Sequence, residues 1–302
     1  PYLLADVDVP VYAPPYAVEL VKVRLSEFRF DFEPRVLPIA PRQKVKAGAF
    51  EIEPFRVTHS IPDSLGLVLR TRVGTLVHSG DFKIDPAPPD SEFFDLDFVE
   101  EIGRAGVRLL MSDSTNVDVE GTSGPESDVA IALDRQIRAA NGRVVVSMFG
   151  SNIYRLAAVL RTAQALNKQT LILGRAVQTH TRLAEKAGLL PKPLPTFISP
   201  EMAQAVPRDQ LLVIASGSQA EPRAALARLS KGTHHHLKLE EDDTVILSAR
   251  VIPGRERGIH ALVDDLERLG VRVVQRYDDA KLHVSGHAPA ESAVPPPPVS
   301  VK

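Results

Sequence analysis

Val144-Val145-Val146-Ser147-Met148 runs through Phe149-Gly150-Ser151-Asn152 into the helical period of Ile153–Ala165. An apolar β-branched run, a Gly-Ser turn and a longer segment of period near 3.6 read as strand, loop and helix. The same grammar recurs downstream. Strand Leu171–Leu173 precedes a helix over Val177–Ala187, Leu211–Ala215 one over Pro222–Leu229, and Val245–Ser248 one over Arg257–Leu269. Val271–Gln275 and Leu282–Val284 close the series as strands. Such alternation implies an α/β unit with a mostly parallel sheet and helices on its faces. Ligands of such sheets sit beyond the carboxyl ends of the strands. There this sequence places Phe149–Asn152, Gly174-Arg175, Ser216–Gln219 and His283–His287.

Upstream of about residue 126 the pattern is different. Phe50–His59 alternates as an extended segment, and Leu65–Leu69 with Thr75–His78 reads as a hairpin around Arg72-Val73-Gly74. A helix over Leu96–Gly106 leads to strand Leu109–Met111, and Ala17–Glu27 follows Pro14-Pro15 as a helix.

The composition excludes several classes. The 302 residues are 44% hydrophobic and 25% charged, ordinary for a chain that buries a sizeable core. No run is long and apolar enough for a membrane helix. The absence of cysteine removes disulfides, thiol nucleophiles and Cys-ligated zinc. With 36 basic and 38 acidic residues the net charge is −2, so nucleic-acid binding would need a local groove. The chain begins Pro1-Tyr2-Leu3-Leu4 without an initiator Met, and a Pro-rich tail over 289–302 is expected to be disordered.

Three strand ends carry metal-type ligands beside small residues: Val57-Thr58-His59, His78-Ser79-Gly80-Asp81 and Ser112-Asp113-Ser114-Thr115-Asn116. Imidazole and carboxylate suit zinc or manganese. Singly, His59 reads as a capped strand-end histidine and Asp81 as a turn aspartate; together, a metal site is an equal reading. His283–His287 places two imidazoles around Ser285-Gly286, and Phe149–Asn152 opens a helix. Both offer donors to an anion. His234-His235-His236 reads as a solvated loop, and Asp242-Asp243 as an acidic turn before a strand. No Walker A loop, dinucleotide fingerprint or nucleophile elbow occurs.

Val57–Ser64, His78–Lys83, Met111–Asn116, Ser216–Pro222 and His283–Ala288 together resemble bacterial ribonuclease J, in unbroken order from residue 1 to about 288. The resemblance implies a partial metallo-β-lactamase fold over 1–125, an inserted β-CASP parallel-sheet α/β domain over 126–288, and the tail after it. By the same resemblance His59 and Asp81 are metal ligands, with Asp81 bridging two ions. Asp81, Asp113 and His287 are catalytic. Phe149, Gly150, Ser151, His283, Val284, Ser285, Gly286 and His287 hold substrate. The implied activity is that of a Zn2+-dependent ribonuclease, 5′-to-3′ exonuclease and endonuclease, in rRNA processing and mRNA decay. Two Zn2+ per complete site are expected, with Mn2+ or Mg2+ as alternatives. The implied partner is RNA, and the implied state a cytoplasmic homodimer or a member of an RNA-degrading complex, away from membranes.

The family's His-x-His-x-Asp-His motif and its late His-Gly-Glu motif are not in this sequence. The chain is therefore expected to be a fragment that is inactive alone. Two other readings stay open: a non-catalytic RNA-binding or dimerisation subunit that keeps the β-CASP half, and another hydrolase of the metallo-β-lactamase fold.

Overall fold

The Phe55 ring reaches over Gly66 on the neighbouring strand, and a Cβ at Gly66 would come within 2.2 Å of it. That cross-strand contact seeds the first apolar core. In the computed structural model, which describes residues 1–290, the chain starts with helix α1 (Tyr2–Asp6), strand β1 (Val11–Ala13), helix α2 (Pro15–Leu25) and strand β2 (Val36–Pro38). Strands β1 and β2 pair in parallel, and Pro15 sits in the first turn of α2, where its missing N–H costs nothing. A sheet follows, made of β3 (Val45–Ala47), β4 (Phe50–Arg56), β5 (Leu65–Thr71), β6 (Gly74–His78) and, after helix α3 (Leu96–Ala105), β7 (Leu109–Met111). Its order is β3-β4-β5-β6-β7, antiparallel up to β6 and parallel between β6 and β7. Phe98 and Ile102, one turn apart on α3, join Phe55, Val57, Val68, Val77, Phe82 and Ala288 in one core.

The second sheet is built from buried runs. After helix α4 (Glu126–Arg138) come β8 (Val144–Met148), α5 (Ile153–Ala165), β9 (Gln169–Leu173), α6 (Arg175–Lys186), β10 (Leu211–Ala215), α7 (Ala225–Ser230), β11 (Thr244–Ser248), α8 (Glu256–Arg268) and β12 (Arg272–Val274). All pairings are parallel, in the order β12-β11-β8-β10-β9. Strands β8, β10 and β11 are buried at every residue because helices cover both faces. Their Val, Ile and Leu runs are therefore continuous and do not alternate.

The chain forms two compact units, Pro1–Pro125 with the described residues from Ser285 to Ala290, and Glu126–Val284. Ser285–Ala288, expected with the β-CASP part, thus packs with the first unit. Pro289 bridges to Asn116, and residues 291–302 of the expected tail lie outside the described residues.

Three local expectations need correction. Leu282–Val284 is not a strand: Ala280–Leu282 is a 3-10 turn capped by the Asp279 carboxylate, and Leu282 is fully buried with its carbonyl accepting from Ser248 Oγ. The three residues Leu282-His283-Val284 are too short a segment to outcompete such a cap. His234 is 8% exposed and so not solvated. Asp242 does turn at φ 70°, but Asp243 is fully buried and accepts from Arg143 (3.2 Å) and Arg208 (2.9 Å).

This last cluster generates a prediction. Removing one member of a buried ion pair leaves the other charge unpaired, at a cost of about 3–5 kcal/mol. Asp243→Ala is expected to lose stability on that scale, read as a lower guanidinium midpoint with unchanged slope.

Candidate active site

Strand β4 ends at Arg56, and the next residues are pinned from both sides. Val57 N–H donates to Ser64 O at 3.0 Å, and Lys83 N–H donates to Thr58 O at 2.8 Å. Thr58 Oγ1 donates to Lys83 O and accepts from Asp85 N at 3.2 Å. Beneath this bridge Lys83 Nζ meets Asp85 at 2.7 Å, with both side chains at most 3% exposed. The loop that carries His59 is thereby clamped to the loop that carries Asp81. Gly80 makes the turn into Asp81 at φ +63°, where a Cβ would stand 2.7 Å from Leu65 O, so glycine is required.

The third strand end is stitched to the second. Ser79 N donates to Met111 O at 2.9 Å, and Ser79 Oγ accepts from Asp113 N at 2.8 Å. The Asp113 carboxylate accepts from Thr115 N (2.9 Å), Phe82 N (3.3 Å) and His287 Nδ1 (2.7 Å). Burial raises its pKa, yet the Thr115 and His287 bonds together outweigh burial and hold the carboxyl below its usual range.

Asp113 and Gly286 dictate how the two histidines present themselves. A carboxylate in this state only accepts, so His287 Nδ1 carries the proton, and its Nε2 is the second ring position. Gly286 O stands 2.7 Å from His59 Nδ1, and a carbonyl also only accepts. His59 therefore donates through Nδ1 and has its lone pair on Nε2. A metal-binding imidazole is held in this way, its other ring N–H donated to a carboxylate or a backbone carbonyl. His59, Asp81 and His287 bring ligand atoms within 4.8 Å of one another, and the two rings meet edge to face at 5.1 Å. Two imidazoles and a carboxylate suit Zn2+ or Mn2+. His287, expected to serve catalysis and substrate, stands beside the two expected metal ligands.

The remaining expected residues fall in two places. Ser285, Gly286 and His287 belong to the first unit; Phe149, Gly150, Ser151, His283 and Val284 belong to the second. Ser285 Oγ accepts from Asn116 Nδ2 (2.7 Å) and His287 N (3.1 Å), which leaves its proton to donate. His287 O accepts from Asn116 Nδ2 and Ser123 Oγ, both at 3.0 Å. Phe149–Ser151 is a half-buried turn leading to α5, whose N-cap Asn152 accepts from Arg155 N at 3.0 Å. Sequence reasoning did not single out Arg155, which is 1% exposed. The available signal was a charged residue among the apolar positions Ile153, Leu156, Ala157 and Val159 of one helix.

Two expected outcomes follow from this geometry. A Cβ at Gly286 would lie 2.7 Å from His59 Cε1 and Nδ1, so Gly286→Ala must displace the ring or the loop. Outer-shell changes of this kind cost roughly 10–100-fold in metal affinity, and calorimetric Zn2+ titration measures it. His59 is pushed below its ordinary 6.5, chiefly by burial and further by His287, against the pull of Gly286 O, Asp81 and Asp113. Below the unfolded value the unfolded chain then binds more protons, so stability falls as pH drops through that window to the native value. In metal-free buffer His59→Gln is expected to lessen the drop in denaturation midpoint between about pH 7 and about pH 5.

Residues 141–266 match the family model described as "Ribonuclease J, beta-CASP domain". The chain is 38% identical over 281 residues to ribonuclease J of Mycolicibacterium smegmatis, covering 93% of this chain and 50% of that protein. It is 38% identical over 292 residues to ribonuclease J of Synechocystis sp., covering 96% and 46%. Against ribonuclease J of Helicobacter pylori (strain 26695) it is 34% identical over 293 residues, covering 96% and 42%. The chain thus spans about half the length, or less, of these curated relatives. A crystal structure of a protein of unknown function from Enterococcus faecalis V583 superposes with a TM-score of 0.63 at 15% identity, covering 92% of this chain and 65% of the other, a likeness of fold. The architecture agrees with the expected metallo-β-lactamase fold interrupted by a parallel β-CASP unit. Residues 141–266 are thus similar to the β-CASP domain of ribonuclease J, in a chain that resembles ribonuclease J over 93% of its length.

Proposed function

We propose that the chain supplies metal-ligating and RNA-holding residues of a Zn2+-dependent ribonuclease with 5′-to-3′ exonuclease and endonuclease activity, acting in RNA processing and decay. The observation that carries this reading is the convergence of His59, Asp81 and His287 from three loops of the first unit, with Gly286 and Asp113 setting both imidazoles. The likeness to ribonuclease J supports RNA as the substrate, and cytoplasmic action as a homodimer or within an RNA-degrading complex. No described helix is long and apolar enough to cross a membrane.

A Zn2+ ion held by these residues would supply Lewis acidity and the activation of water that hydrolysis of a phosphodiester needs. Asp81, exposed at the rim, presents a carboxylate able to bridge two ions. His59 offers Nε2 as a ligand because its Nδ1 is engaged with Gly286. His287, its Nδ1–H held by Asp113, would offer Nε2 as the third ligand, and the carboxylate fixes the ring's orientation. Ser285 O–H and the Phe149–Ser151 helix start supply donors for substrate phosphates. His59, Asp81 and His287 would hold one ion, and a second ion would need donors beyond this cluster.

The metal test is elemental analysis after dialysis. The 302-residue chain is expected to hold at most one weakly bound Zn2+, and none after Asp81→Ala. Cleavage is assayed on the product of the gene. It is expected to require metal and to vanish with Asp81→Ala; metal-independent cleavage, or hydrolysis of small esters with RNA left intact, would refute the reading.

The end preference is tested by side-by-side digestion. Short donors with little bulk suit one terminal phosphate, so 5′-monophosphorylated RNA is expected to be degraded faster than its 5′-triphosphorylated counterpart. Ser285→Ala removes a hydrogen bond to a charged group, worth about 1.5–3 kcal/mol. The preference should shrink roughly tenfold or more, while internal cleavage changes less.

A further inference from the structure

The guanidinium of Arg155 is buried at 1% exposure and meets five acceptors, one for each of its N–H groups. Nε and Nη2 donate to the two oxygens of Glu126 at 2.8 and 3.0 Å. Nη1 donates to Ser248 O at 2.7 Å, Nη2 to Val284 O at 3.5 Å, and Nη1 stands 3.0 Å from His283 Nδ1. An arginine side chain has no acceptor and does not lose its proton. His283 must therefore accept through a lone pair on Nδ1. An Nδ1–H tautomer would set N–H against N–H, and an imidazolium would add a second positive charge against the guanidinium. One state satisfies the contact, the neutral ring with its proton on Nε2.

We propose that Arg155 is a positioning residue that locks His283 in this Nε2–H form, so that a loop histidine becomes a fixed donor toward a substrate phosphate. The phosphate contact rests on the ribonuclease reading above; the tautomer does not. The network reaches the other expected phosphate element as well. Asn152, the N-cap of α5, accepts from Arg155 N at 3.0 Å, and its amide lies 3.4 Å from Glu126 Oε1. The start of α5, the end of β11 at Ser248 and His283 are thus held by one buried ion pair. Such a pair is expensive to desolvate and is a poor source of stability by itself. Here it fixes which ring nitrogen donates, a choice that a solvated histidine leaves open.

The test uses the whole 302-residue chain with 15N-labelled histidine. Long-range 15N–1H spectra at neutral pH report the tautomer, with His283 assigned by the signals lost in His283→Ala. The parent is expected to show the Nε2–H pattern with an unprotonated Nδ1. Arg155→Met with Glu126→Gln removes both charges together, so that neither is left buried and unpaired. In that double variant the single tautomer should give way to a mixture, and affinity for a 5′-phosphorylated oligoribonucleotide, by fluorescence anisotropy, should fall about tenfold. Arg155→Lys keeps the charge but loses the planar fork, and provides a second variant with the same expected loss of tautomer order. An Nδ1–H ring or an imidazolium in the parent overturns the proposal. So does a variant that keeps both the single tautomer and the affinity. An Nε2–H parent whose RNA affinity is unchanged by His283→Ala would remove the phosphate contact and leave the tautomer standing.

Discussion

The hydrogen bond between His59 Nδ1 and Gly286 O joins residues 227 positions apart, and the candidate centre depends on it. Only a residue without a Cβ allows the backbone this close to the imidazole ring. The same short segment delivers His287 to Asp113 and Ala288 N–H to Phe82 O. Everything between Glu126 and Val284 is an insertion in the sequence of the first unit, and the chain must come back in register after it. A slip of one residue in the return would remove both the carbonyl that sets His59 and the imidazole that completes the ligand group.

The centre is made from strand ends because strand ends are where the hydrogen-bonding ladder stops and side chains gain room. Here that freedom is removed by local bonds. Lys83 and Asp85 are paired below the surface, Thr58 bridges to Lys83, and Ser79 ties β6 to the loop after β7. The ligand-bearing loops are therefore anchored by buried polar contacts while Asp81 itself faces solvent. A carboxylate that must meet an ion and a substrate is served by that division of labour.

Buried charge recurs in the second unit with a different result in each place. Asp243 gathers Arg143 and Arg208 at the entry to β11 and joins segments about 100 and 35 residues away. Glu126 and Arg155 do the same for α4 and α5, with Ser248 and His283 as further partners. The first cluster ends in itself, whereas the second ends on a histidine ring. Removing either acid would strand a guanidinium, but only the second would also release a tautomer.

The strand–helix alternation from Val144 onward was legible because period and turn residues are local, and strands β8 and β10 begin and end where the pattern placed them. His59, Asp81 and Asp113 were legible as candidates because each stands at a strand end beside small residues. Helix α4 and the turn at Ala280–Leu282 were not, since a mixed-charge helix and a capped turn leave little periodic signal. Which groups meet was decided in three dimensions. Nothing in Ser285-Gly286-His287 states that one carbonyl will set His59 and that Asp113 will hold His287, because those partners lie more than 170 residues away. Arg155 makes the same point from the other side: its residue type announces a surface charge, and only burial against Glu126, Ser248 and His283 turns it into an organising group. The sequence alone determined which side chains were available and where the backbone would end a strand or begin a helix, because those preferences act over a few neighbours. The tertiary structure decided which of them share a proton or face one ion, because hydrogen bonds and desolvation depend on distances that only the packed chain defines.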